Sequence, residues 1–277
     1  MNQPPSCLGD TVLLADVGNS RIKLAAVADH GFAADGRRRL PSVTKRQDLV
    51  SREFRPENLE QWLATAAPGS AVVLVASVHD AAAARLEAAI AEVSATRHRP
   101  LRQRRVCHAD LPLAVRLAEP HKVGIDRLAA AAAACLVKDR HRGAIVVDCG
   151  TAATVDMLDA EGGFLGGAIL PGPTLMARAL AEGTSRLPQV AALERSTPPA
   201  MPGRSTEDAI AAGIGWGMKG AVERLVAEAR ATLGADAVLI LTGGWRAAVR
   251  DALPGALDLP DLTLAGIALA AESACAR

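Results

Sequence analysis

Two short apolar runs, Val12 to Ala15 and Ala144 to Val147, each end on Asp-x-Gly with a hydroxyl close behind: Asp16-Val17-Gly18-Asn19-Ser20 and Asp148-Cys149-Gly150-Thr151. Apolar, β-branched runs of this length read as buried strands. Strand character resumes after each turn, over 21–27 and 154–158, so each copy predicts a hairpin. Its tip would offer backbone N–H groups, a hydroxyl and a carboxylate, a set that suits a phosphate with its cation. Asp-x-Gly alone is a common turn; the strand before and the hydroxyl after give the pair weight. The two aspartates lie 132 positions apart in a chain of 277 residues, close to half its length. A repeat at that spacing predicts two related α/β halves facing each other across a cleft.

Composition narrows the class. Half of the residues are hydrophobic and the formal net charge is +1, which gives no global reason to expect a nucleic acid or membrane partner. No run of eighteen apolar residues occurs, so no transmembrane helix is expected. The N-terminal stretch lacks the pattern of a signal peptide. Five cysteines without a C-x-x-C argue against a disulfide framework or zinc site, and a cytoplasmic location is the expectation.

In chain order, Lys23 follows the first turn and can reach a polyphosphate, or can simply face solvent. Helices are expected over 57–66 and 80–93, with a buried strand over 71–77, an α/β layer pattern. Arg97 to Arg105 is the most basic stretch; without interleaved aromatics it reads as a solvated connector. It leads to an expected boundary between residues 1–115 and 116–277. Gly124-Ile125-Asp126-Arg127 then opens an alanine-rich helix running to Val137. An acid in a first turn is ordinary helix electrostatics. Beside Arg127 and after a glycine, Asp126 can also accept a proton from an alcohol while the guanidinium forks a carboxylate or amide. Residues 187–203 are proline-rich and read as a loop able to cover a site. Ser205 or Thr206 caps a helix to about Leu233, whose Gly213, Gly215, Gly217 and Gly220 suggest close helix packing. A strand over 237–241 ends in Thr242-Gly243-Gly244, where backbone can lie against a nucleobase or ribose. A last apolar helix spans 262–271.

In series, Asp16 to Ser20 with Lys23, Gly124 to Arg127, Asp148 to Ala152 with Thr154 and Asp156, Gly166-Gly167 with Pro171-Gly172, and Thr242 to Gly244 closely resemble the type III pantothenate kinases. That family, which includes the Bvg accessory factors, belongs to the acetate and sugar kinase, heat-shock and actin ATPase superfamily. The resemblance covers about residues 12–270. It implies two duplicated ribonuclease H-like domains, a homodimer, and ATP-dependent phosphorylation of the pantothenate 4′-hydroxyl, the first step of coenzyme A synthesis. It implies that Asp16, Val17, Gly18, Asn19, Ser20, Arg21, Ile22 and Lys23 form the first ATP phosphate segment, with Asp16 near Mg2+. Thr151, Gly243 and Gly244 would also bind ATP. Gly124, Ile125, Asp126, Arg127 and Thr206 would bind pantothenate, with Asp126 the proton acceptor. Asp148 would hold a monovalent cation, K+ or NH4+.

One position departs from the family. The tyrosine commonly found seven residues before the glycine of Gly-x-Asp-Arg falls at Leu117, and the chain has no tyrosine. A lost hydroxyl contact would weaken pantothenate binding by about 1–3 kcal/mol if its partner stays buried and unpaired. This leaves two other expectations open: a non-catalytic nucleotide-binding accessory protein, and a sugar kinase of the same superfamily. The polar pattern a sugar would need is missing around Asp126.

Overall fold

In the computed structural model the first apolar run becomes β1 (Thr11–Val17), which turns at Gly18 into antiparallel β2 (Arg21–Asp29). The structure describes residues 11–33, 37–98, 100–191 and 199–276. They divide into two compact units, one from Met1–Val137 with Asp261–Arg277 and one from Lys138–Pro260.

In the first unit β2 pairs with antiparallel β3 (Ser42–Val50). Helix α1 (Pro56–Ala66) leads to β4 (Ala71–Ser77), parallel to β1, and α2 (Asp80–Thr96) leads to β5 (Leu101–Arg105), parallel to β4. The sheet order is β3-β2-β1-β4-β5. Side chains alternate across a strand. Leu13, Ala15 and Val17 therefore join Leu59, Trp62 and Leu63 of α1 and Leu86 and Ile90 of α2 in one buried cluster. The other face, carrying Leu14 and Asp16, is covered by α3 (Ile125–Ala134) and α6 (Leu262–Leu269). Burial on both faces is why β1 reads as an unbroken apolar run. Helix α6 crosses α3 so closely that a Cβ on Gly266 would overlap the Ala129 carbonyl. The short α7 (Ala271–Ala276) follows.

The second unit repeats the plan. β6 (Ala144–Cys149), β7 (Ala152–Leu158) and β8 (Phe164–Pro171) form an antiparallel meander. After α4 (Pro173–Gly183) and α5 (Thr206–Leu233), β9 (Val238–Gly243) lies parallel to β6, and the short β10 (Leu257–Asp258) parallel to β9. The order β10-β9-β6-β7-β8 is the first sheet's order read from the other end. Ile145, Val147 and Cys149 pack with Ile214, Met218 and Val222 of α5, so Asp148, like Asp16, points to the opposite face.

Several expectations change. Residues 116–137 and the C-terminal helices pack with the first unit rather than the second, because α3 and α6 seal the open face of its sheet. The basic stretch is partly strand: β5 forms an edge, and its arginines pair locally. Arg105 donates to both Glu87 oxygens at 2.6 and 3.0 Å, and Arg104 pairs with Asp110. The alanine-rich helix ends at Ala134. The glycines of α5 are not a packing surface among the described residues. A Cβ at Gly213, Gly217 or Gly220 would meet nothing within 4 Å, and at Gly215 it would meet only Pro199. Of the expected 187–203 loop, residues 192–198 lie outside the described residues; the rest has neither helix nor strand. Among the described residues no helix is long and apolar enough to cross a membrane.

Candidate functional site

The first unit gathers its chemistry at the carboxyl end of β1. Asp16 is only 6 % exposed, and its ladder partner on β2 is Lys23. The Lys23 ammonium donates to Asp16 Oδ2 at 3.2 Å. The turn closes with the Gly18 N–H donating to the Arg21 carbonyl at 3.0 Å, leaving Asn19, Ser20 and Arg21 exposed at the tip. Ser51, just past β3, clamps this turn. Its hydroxyl donates to the Gly18 carbonyl at 2.8 Å and its N–H to the Ser20 carbonyl at 3.0 Å. No sequence signal marks Ser51; a lone serine after a polar strand looks like any loop residue.

Asp126 opens α3 on the face of the sheet that carries Asp16. Its carboxyl is held above the ordinary aspartate range, first by burial and then by the negative charge of Asp16. A hydrogen bond from the Arg127 N–H at 2.8 Å and the charges of Lys23 and Arg127 oppose this without cancelling it. A Cβ at Gly124 would lie 2.6 Å from Asp126 Oδ1 and would shift that carboxyl. Asp16, Lys23, Asp126 and Arg127 therefore form one electrostatic unit. Beside it, the carboxyl ends of β4 and β5 and residues 120–125 enclose a cavity of about 380 Å³. Leu117 is half-buried and is not part of its wall.

The second unit has the matching hairpin with different partners. Opposite Asp148 in the ladder stands Thr154, whose hydroxyl donates to buried Asp156 at 3.0 Å. The turn at Gly150 is clamped by Trp245, whose indole N–H donates to the Gly150 carbonyl at 2.7 Å. Gly172 N–H donates to the Thr151 carbonyl at 3.0 Å, tying this turn to the end of β8. Gly243 has φ +93°, and a Cβ there would overlap the Cys149 N–H and lie 2.5 Å from Asp148 Oδ1. Gly244 faces open space. The Cys149 thiol is pushed well up by burial and by the Asp148 charge, so it stays neutral. Asp148, Thr151 and Gly243 thus share one end of this sheet. Thr206, the first residue of α5, is exposed, and Ser205 is the cap, accepting from the Asp208 N–H at 3.0 Å.

The model of the type III pantothenate kinase family matches residues 12–228. A relative of that name from Rhodopirellula baltica is 37% identical over 262 residues, covering 88% of this chain and 91% of its own. One from Alkalilimnicola ehrlichii is 37% identical over 269 residues, covering 94% and 98%. The chain belongs to the type III pantothenate kinase family. Two crystal structures share the fold at low identity. One, described as a Baf family transcriptional activator from Campylobacter jejuni, has TM-score 0.53 and 20% identity, covering 92% of this chain and 94% of its own. Another, described as a 2-dehydro-3-deoxygalactonokinase from Sinorhizobium meliloti, has TM-score 0.52 and 18% identity, covering 95% and 96%. The duplicated sheet and two Asp-x-Gly hairpins of this type III pantothenate kinase family member fit that α/β fold.

Proposed function

We propose that this chain transfers the γ-phosphoryl group of ATP to the 4′-hydroxyl of pantothenate, the first step of coenzyme A synthesis. The observation that carries the reading is the half-buried Asp126 at the start of α3, its carboxyl raised first by desolvation and then by the charge of Asp16. Family membership names the substrates. The hydroxyl oxygen attacks the γ-phosphorus, its proton passes to Asp126, and the bond to the β,γ-bridging oxygen breaks to release ADP. A carboxylate raised above its ordinary range is a stronger base than an ordinary aspartate. Arg127 orients the acceptor, and the Gly18 turn with Lys23 receives the phosphates.

The donor set fits Mg2+ carried in with the nucleotide. Among the described residues no cluster of three or more His, Cys, Asp or Glu can form a protein-only metal cage. Asp16, a buried carboxylate at the phosphate turn, would hold Mg2+ together with the substrate phosphates. The ion would supply charge neutralisation at the phosphates. At the second hairpin a carboxylate facing a neutral threonine, with backbone carbonyls around the turn, suits K+ or NH4+ at Asp148. Thr151, Gly243 and Gly244 complete the ATP side, and Thr206 is assigned to pantothenate. The same reading includes a cytoplasmic homodimer.

Purified protein incubated with ATP, Mg2+ and pantothenate should give a phosphomonoester by phosphorus NMR, with the mass of pantothenate plus one phosphoryl group. Nucleotide binding without any such product would move the assignment to a non-catalytic accessory protein.

A further inference from the structure

The same hydrogen bond occurs twice in this chain, made from unrelated places. In each Asp-x-Gly hairpin the glycine carbonyl accepts from a side chain far along the sequence. Gly18 takes the Ser51 hydroxyl at 2.8 Å, and Gly150 takes the Trp245 indole N–H at 2.7 Å. Duplication does not account for this pair. The bond it did carry over is a backbone one. Just past β4 the Val78 N–H donates to the Val17 carbonyl at 3.1 Å, and just past β9 the Trp245 N–H donates to the Cys149 carbonyl at 3.3 Å. β4 and β9 are the strands parallel to β1 and β6, so these two bonds are equivalent. The side-chain donors are not. Ser51 follows β3, which pairs with β2, whereas Trp245 follows β9, which pairs with β6. Two different residues at two different places in the plan grip the same carbonyl.

Both donors are firmly seated. Ser51 is 0% exposed, and its N–H also holds the Ser20 carbonyl at 3.0 Å. Trp245 is 4% exposed and packs in the second unit's core with Val249 and Leu253. A phenylalanine would meet that packing, so the indole N–H is a separate feature. A trans peptide is planar, with its N–H on the side opposite its carbonyl. Holding the Gly18 carbonyl therefore aims the Asn19 N–H away from Ser51. Holding the Gly150 carbonyl aims the Thr151 N–H away from Trp245. Glycine by itself leaves such planes free to turn.

We infer that Ser51 and Trp245 are positioning residues for the nucleotide, each locking the peptide plane that follows an Asp-x-Gly turn. The inference rests on the function proposed above, in which Asn19 and Thr151 belong to the ATP-binding set. A turn fixed before binding gives up less freedom when the phosphates arrive. Phosphoryl transfer depends on positioning of this kind.

The test measures nucleotide affinity in Trp245→Phe and Ser51→Ala, with Trp62→Phe as the control. Trp62 lies in the first unit's core and its indole N–H donates to the Lys45 carbonyl, so the control removes an indole bond to backbone away from both turns. Trp245→Phe and Ser51→Ala should each raise the KM for ATP about three- to tenfold, with the KM for pantothenate held within about twofold. The calorimetric Kd for the non-hydrolysable analogue adenylyl imidodiphosphate with Mg2+ should rise by the same factor. Trp62→Phe should lower the melting temperature and leave both nucleotide constants unchanged. An unchanged Kd in folded Trp245→Phe or folded Ser51→Ala overturns the inference. So does an equal rise in Trp62→Phe, or an equal rise in the KM values for ATP and pantothenate. A wild-type chain that binds the analogue but makes no phosphorylated pantothenate would bring down the proposed function, and the Kd comparison would still decide on Ser51 and Trp245. A wild-type chain that binds no analogue overturns both.

Discussion

The two hairpins share a backbone plan and differ in what faces the aspartate. At the first, Asp16 looks across the ladder at Lys23 and holds its ammonium. At the second, Asp148 looks across at Thr154. The clamps differ too, a serine hydroxyl on Gly18 and an indole N–H on Gly150. Duplication supplied the same strand end twice, and the residue one ladder step away decided the charge. The first end carries both signs, as a site for phosphate with a divalent ion needs. The second sets its carboxylate opposite the Thr154 hydroxyl, which itself binds the buried Asp156, a setting that favours a cation from solvent. At the first end the further carboxylate is Asp126, raised in part by the charge of Asp16.

Among changes at the two hairpins, Asp16→Asn should show the largest effect. Turnover should fall about 10²–10³-fold, because several kcal/mol of charge stabilisation at the phosphates go with the carboxylate. The same change removes a charge that raises Asp126, so the acid limb of the kcat/KM profile should move to lower pH. An unmoved limb would break the coupling of the two aspartates. Gly243→Ala should cost about 2–4 kcal/mol of stability in a thermal or denaturant melt, since φ +93° and the Cys149 N–H both oppose a Cβ. Gly244→Ala, in open space, should cost under about 1 kcal/mol.

Asp148→Asn should remove potassium stimulation, an effect of about tenfold if the cation contributes about 1.4 kcal/mol. Assays in potassium and sodium buffer would show it; stimulation that survives in the variant would place the cation elsewhere. Lys23→Met tests the coupling from the other side. Its positive charge lowers Asp126, so its loss should move the acid limb to higher pH, opposite in sign to Asp16→Asn.

Much of this was legible because the inner strands are buried on both sides. β1, β4, β6 and β9 announce themselves as apolar runs, and the Asp-x-Gly ends mark where β1 and β6 stop. The edges were not legible. In β3 only Leu49 is buried, and in β5 only Leu101, so neither carries a hydrophobic period. β5 is held by its pairing to β4 and by ion pairs such as Arg105 with Glu87. The α5 glycines misled because glycine permits close packing without requiring it. At the site, the motifs marked Asp16 and Asp126 separately. Their electrostatic coupling needs α3 laid over the sheet, and no local pattern encodes that. The same holds for Ser51 and Trp245, which act through hydrogen bonds to a distant turn.

The raised carboxyl of Asp126 also has a stability consequence. Its ionised form is disfavoured in the folded chain, so the penalty is present at neutral pH and disappears as pH falls below the ordinary aspartate value. Asp126→Asn should therefore fold at least as stably as wild type at neutral pH. The most direct measurement is pantothenate-dependent ADP release by the wild-type chain and by Asp126→Asn, followed across pH. The account predicts release by the wild type that declines through a pKa above the ordinary carboxylate range, and a folded variant slowed about 10²–10⁴-fold. A folded variant that turns over at the wild-type rate would contradict it.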